Sequence, residues 1–187
     1  MKTKLKKLVR SAKCSVLSAA LCVVGLAAFA EEPDAVQLWK DGPYFATSNL
    51  GTSEVAEHPE YGALYTFDDA GTAVKSLLGE EWRVPSKDDL KGLLDSSKCT
   101  KAKVTDDAGK FLGYTFTGTG DYSSRSIFLP PAGFDDGGGR CYVGEFGNYW
   151  SSEANGGDYA WSLHFNEGHA YVGYDDRSFG LSVRAVR

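Results

Sequence analysis

Cysteine is scarce in this sequence: there are four in 187 residues, and Cys14 and Cys22 fall within the first thirty. The remaining pair, Cys99 and Cys141, forms no CxxC and has no histidine at ligand spacing, which argues against a zinc site. Sequence leaves both a disulfide and two thiols open for this pair. Histidine is rarer still, with three in all, and no Ser-His-Asp order stands out around them. Basic residues are short as well. Residues 1–30 hold six of the 20 lysines and arginines and none of the 25 acids, leaving 14 bases against 25 acids and a formal charge of −11 over residues 31–187. Such a surface repels nucleic acid and anionic membranes, and it is compatible with cationic ligands. No linker, charge block or internal repeat divides residues 31–187, whose length suits one domain with one sizeable core.

What is present begins with MKTKLKKLVRSAK, a basic stretch, followed by the apolar CSVLSAALCVVGLAAF and Ala28-Phe29-Ala30. A basic region, an apolar run and an A-x-A site together predict a secretory signal peptide over residues 1–30, with cleavage before Glu31. The run is shorter than the ~20 apolar residues of a span and is interrupted by Ser15 and Ser18, so no membrane insertion is expected after cleavage. Leu21 before Cys22 is too bulky for a lipoprotein signal.

Along residues 31–187 the pattern predicts short strands at Ala35 to Leu38 and Tyr44 to Thr47, then two helices. The first is expected over Ala70 to Leu78, with Asp68 or Asp69 as N-cap and Gly79 at its end. The second follows Pro85: Ser86 caps, an acid stands three residues on, and Leu90, Leu93 and Leu94 share one face. From Cys99 the period changes to two. Phe111, Gly113 to Thr117, Ser126 to Leu129, Tyr149 to Ser151, Tyr159 to Asn166, Ala170 to Tyr174 and Leu181 to Val186 read as strands. Helices ahead of most strands make an α+β domain with a mostly antiparallel sheet. In GNYWSSEANGGDYAWSLHF (residues 147–165), Trp161, Leu163 and Phe165 fall on one face of a strand and Ala160, Ser162, His164 and Asn166 on the other. The tryptophans read as core.

GEEWRVPSKDDLKGLL, IFLPPAGF, GNYWSS, AWSLHF and GLSVRAVR occur in the order and spacing of bacterial C-type-lectin-like domains. Over residues 36–187 the chain resembles the carboxy-terminal domain of a Legionella collagen-like adhesin, the Fibrobacter major paralogous proteins, and variable proteins diversified by retroelements. All are similar in fold to the formylglycine-generating enzyme. The resemblance implies a C-type-lectin-like fold of two helices on a mostly antiparallel sheet, with conserved-type blocks as scaffold. On that reading Trp82 plugs the helix–sheet core, Trp150 anchors a strand with Ser151 and Ser152 satisfying turn groups, and Arg184 pairs with a buried carboxylate.

The segments between those blocks are where function can vary. Residues 155–178 are rich in Tyr, Gly, Asn, Asp and Ser, the composition of adaptable recognition surfaces, although ordinary turns favour several of the same residues. The expected ligand-binding residues are Asn155, Asp158, Tyr159, Ser162, His164, Tyr171, Tyr174, Asp175, Asp176 and Arg177, with the 134–140 loop beside them. The same positions vary in the retroelement-diversified relatives. A protein or glycan ligand is expected, with no nucleic acid partner and no cofactor. Catalysis is not expected, because Cys99 and Cys141 do not match the formylglycine-generating pattern. Asp135-Asp136 and Asp175-Asp176 offer oxygens of the kind calcium takes, yet they form no spaced acidic loop and no metal is assigned. Two other readings stay open: a structural component of the envelope, and an oxidase-like enzyme.

Overall fold

Tyr149 and Trp150, adjacent in sequence, are both fully buried, and they point into two different hydrophobic cores. The computed structural model describes residues 34–187, which belong to one compact unit. The expected signal peptide and its two cysteines lie outside the described residues. The described chain is α+β, with several small antiparallel sheets and two helices. β1 (Ala35–Gln37) pairs with β2 (Tyr44–Ala46), and a 3-10 turn at Pro59–Tyr61 leads towards α1 (Phe67–Leu78) and α2 (Lys87–Leu94). β3 (Cys99–Thr105), β4 (Phe111–Gly118) and β5 (Ser126–Leu129) form one three-stranded sheet, and β6 (Phe134–Asp135) and β7 (Arg140–Cys141) a short hairpin. The last sheet has the order β10-β9-β8, from β8 (Gly147–Ala154), β9 (Tyr159–Phe165) and β10 (Ala170–Asp176). Among the described residues no helix is long and apolar enough to cross a membrane.

Local chemistry explains both helices. Ser86 accepts from the Asp89 backbone N–H at 3.1 Å while the Asp89 carboxylate accepts from the Ser86 N–H at 2.8 Å, a complete capping box. Such a cap contributes about 1 kcal/mol. Asp89 also holds the Arg83 guanidinium at 2.7 Å. α1 starts three residues earlier than the sequence predicts. Its N-cap is Thr66, and Asp68 and Asp69 sit in the first turn, where a carboxylate complements the helix dipole. Gly79 ends α1 at φ 105°, a backbone value that favours glycine.

One core joins Leu90 and Leu93 of α2 to Phe116, Leu129, Tyr149, Leu163 and Phe165. The second joins Ala70 and Val74 of α1 to Trp82, Trp150, Ala160, Leu181 and Val183. Trp82 is fully buried, as expected. The segment from Leu181 to Val186 departs from expectation: every residue is buried, and it is no alternating strand. It threads between elements, bonding Tyr65 and Leu50 on one side and Trp150 and Asn148 on the other. A segment with neighbours on both flanks has no solvent face.

Arg184 lies in this segment and, among the described residues, has no carboxylate partner. Its guanidinium donates to Asn49 Oδ1 (3.1 and 2.7 Å) and to the carbonyls of Ala46 (3.0 Å) and Phe128 (2.9 Å). Burial pulls its pKa down to about 10, with the nearby Tyr149 hydroxyl working the other way. Burial likewise pushes Tyr149 up to about 12. The arginine therefore ties strand ends through neutral oxygens.

Candidate functional site

Register in the β8–β9–β10 sheet brings the predicted polar residues together. Asn148 of β8 lies opposite His164, which lies opposite Tyr171 of β10, and Ser162 lies between Trp150 and Gly173. On this face Asp175, Ser162, His164 and Asn148 form one chain of hydrogen bonds. Ser162 Oγ donates to Asp175 Oδ2 (2.7 Å), His164 Nε2 donates to Ser162 Oγ (2.8 Å), and Asn148 Nδ2 donates to His164 Nδ1 (3.1 Å). The direction follows from the carboxylate, which can only accept when ionised. His164 Nε2 also lies 3.3 Å from Asp175 Oδ2. Burial lowers the His164 pKa and Asp175 opposes that shift, which keeps the ring neutral as this hydrogen-bond order requires.

Tyr171 stacks flat on the imidazole, with ring centroids 5.0 Å apart and planes 4° from parallel. Gly173 makes the arrangement possible: a Cβ there would meet Tyr171 at 3.0 Å and His164 at 3.1 Å. Beside this floor a cleft of about 520 Å³ opens, walled by Phe134, Tyr142 and Phe146. Tyr142 is 53% exposed and sits at φ 53°, a left-handed backbone value uncommon for a bulky side chain.

The ten expected site residues divide into four groups. His164, Tyr171 and Asp175 line the cleft. Ser162 is on the right face but fully buried, so it supports the floor and does not meet a ligand. Tyr159 and Tyr174 are exposed on the face of Trp161, where they pack edge to face with each other, and Tyr174 with Trp161; Tyr174 also borders the cleft. Trp161, expected in the core, is only half-buried, and Lys87 Nζ lies 2.9 Å from its ring centroid. The hairpin is paired here beyond the reach of the core, so alternation alone overstates its burial.

Asn155, Asp158, Asp176 and Arg177 shape turns. The Asn155 N–H donates to the Tyr159 carbonyl, and the Asp158 carbonyl accepts from the Arg177 N–H. Arg177 binds Asp68 and the Gly157 carbonyl and lies over the Phe67 ring, fastening the hairpin tip to the start of α1. Asp176 accepts from the Ser178 N–H and hydroxyl, bonds that lower its pKa.

Sequence reasoning missed Asn148, Tyr142 and Phe146. Asn148 was readable in principle, since alternation within Asn148-Tyr149-Trp150 sets it on the face of Trp150, opposite Tyr149. Tyr142 carried no such pattern. Cys99 and Cys141 are free thiols. Cys99 is buried, which pushes its pKa to about 11, with Asp95 adding to the rise and Lys98 opposing it. The Asp135 carboxylate is occupied by the N–H groups of Gly137 (2.8 Å) and Gly139 (2.9 Å). Among the described residues no group of three or more His, Cys, Asp or Glu side chains is arranged to hold a metal ion.

The Ser-His-Asp cluster differs from a nucleophilic triad. In a triad histidine takes the serine proton and the carboxylate orients histidine; here serine stands in the middle and its proton points at the carboxylate.

No curated protein and no solved structure matches the chain. Residues 38–187 match the family model of the Lcl C-terminal domain, the domain of the Legionella collagen-like adhesin that the sequence blocks resemble. That family is consistent with a surface, adhesin-like domain. With the match covering the larger part of its length, the chain belongs to the Lcl C-terminal domain family.

Proposed function

We propose that residues 31–187 are an exported, non-catalytic recognition domain of C-type-lectin-like fold that binds a protein or glycan ligand at the cell surface or in the periplasm. The observation that carries this reading is the cleft, where exposed Tyr142 and Tyr171 flank a fixed polar floor. Tyrosine supplies large contact area with few rotatable bonds, and such rings anchor recognition surfaces. A non-catalytic role fits the buried Ser162, whose proton is committed to Asp175. Export rests on the basic, apolar and A-x-A pattern of residues 1–30. Diversification by a retroelement is a further part of the proposal, motivated by the Tyr, Asn, Asp and Gly content of residues 155–178. A neighbouring reverse transcriptase with a template repeat matching those codons is its signature.

Binding of the purified protein to arrays of surface glycans and envelope or host proteins tests the reading. Tyr142→Ala combined with Tyr171→Ala is expected to weaken any bound ligand by about a hundredfold, at up to 2 kcal/mol per anchoring ring. Unchanged binding by a double variant that melts within about 2 °C of the parent contradicts it.

A further inference from the structure

The hydrogen-bond chain under the cleft has a polarity, and the polarity bears on what the cleft accepts. Asn148 Nδ2, His164 Nε2 and the Ser162 hydroxyl all donate in sequence towards Asp175. The Ser162 hydroxyl, the His164 ring N–H and one Asn148 N–H are thus committed inward, and Asn148 Oδ1 is left as an unpaired acceptor. Asn148 is 5% exposed, lines the cleft, and its Oδ1 has no partner. A buried amide oxygen left unpaired costs about 1–3 kcal/mol, so a donor that reached it would recover that cost. Asp175 adds a carboxylate with a partly exposed side chain.

The walls have the same preference. Phe134, Tyr142, Phe146 and Tyr171 present aromatic rings, whose faces attract cations. The lining residues include no lysine or arginine, so nothing in the cleft neutralises an anion. Residues 31–187 carry a formal charge of −11, which draws cations and repels anions at long range. Tyr142 is held in its left-handed conformation at the rim, and backbone strain of this kind gathers at ligand-contacting positions.

We propose that the cleft receives a cationic group, the guanidinium or ammonium of an arginine or lysine side chain presented by a partner protein. The group sits between Tyr142 and Tyr171 with its N–H donors on Asn148 Oδ1 and the Asp175 carboxylate. This inference rests on the recognition reading above and narrows it: the cleft sets a carboxylate and aromatic faces around an unpaired acceptor with no lysine or arginine beside them, which favours a cation over a neutral sugar.

The test is a titration of the purified protein followed by NMR, with N-acetyl-arginine amide against N-acetyl-citrulline amide, its uncharged near-isostere. Arginine amide is expected to shift the amides of Asn148, Tyr171 and Asp175, with citrulline amide about tenfold weaker. Asp175→Asn, which retains an acceptor for Ser162, is expected to reduce arginine binding by about tenfold, and Tyr142→Ala by about threefold, with melting temperatures near the parent's. Spermidine tests the source of the cation: tighter binding than the blocked arginine overturns a protein side chain as the ligand. Equal affinity for arginine and citrulline, or arginine binding untouched by Asp175→Asn, overturns the inference. A glycan that binds in the cleft and is lost in Tyr171→Ala while arginine amide fails to bind also overturns it, yet leaves the recognition reading standing. Failure of every cation, glycan and protein to bind in a manner sensitive to Tyr142 and Tyr171 removes both.

Discussion

The two faces of β9 run in opposite senses. On one, exposure falls along the strand, from Tyr159 at 45% through half-buried Trp161 to Leu163 at 0% and Phe165 at 1%. On the other it rises, from Ala160 and Ser162 at 0% to the partly exposed His164 at the cleft. α2 and its leucines cover the far end of the first face, while Trp150 and the second core cover the near end of the other. Burial in a small two-core domain is thus set by position along the strand as much as by side-chain parity. The exposed ends of the two faces also differ in kind. One is a ring cluster braced by Lys87, and the other is a polar chain with an unspent acceptor.

The buried ends should dominate stability. Trp150→Ala removes a fully buried ring and strands its bond to the Tyr65 carbonyl (2.8 Å), so a loss of about 3–5 kcal/mol is expected by denaturant unfolding. A loss under about 1 kcal/mol would mean that the second core does not depend on this face.

Acid should act on the cleft face and not on the ring cluster. The folded-state pKa of His164 is lowered, so the unfolded chain takes up this proton first as pH falls. Its contribution is fully present above the ordinary histidine value of about 6.5 and is lost from there down to the lowered folded value. Melting temperature should therefore fall as pH drops below about 7, with part of that slope absent in His164→Gln. An identical slope in the variant would place the acid sensitivity elsewhere.

The smallest effect belongs to the exposed ring cluster. Tyr159→Ala should change stability by no more than about 0.5–1 kcal/mol, since its ring loses mainly its contact with Tyr174. A larger loss would show that this face is integral to the hairpin.

Much of the scaffold was legible in the residues. Ser86 and Asp89 announce α2 because a capping box is local chemistry, and the alternation of residues 159–165 announces β9. The cap of α1 is harder to read, because two aspartates of equal capping chemistry follow Thr66 closely, and both serve the first turn instead. β3 escaped because it is an edge strand, largely exposed through Thr100 to Lys103, with no buried set to create a pattern. Arg184 was expected to find a carboxylate, and found an asparagine and carbonyls brought in from distant segments. The cleft was half legible. His164, Tyr171 and Asp175 lie in neighbouring strands, whereas Tyr142 and Phe146 arrive through a loop whose path tertiary contacts decide.

The central claim is that the cleft, and not the opposite ring cluster, makes contact with the ligand. The direct measurement compares two variants in one surface-attachment assay: Tyr142→Ala combined with Tyr171→Ala in the cleft, and Tyr159→Ala in the ring cluster outside it. Attachment should fall roughly a hundredfold in the double variant and change within about twofold in Tyr159→Ala. Loss confined to Tyr159→Ala would contradict the claim.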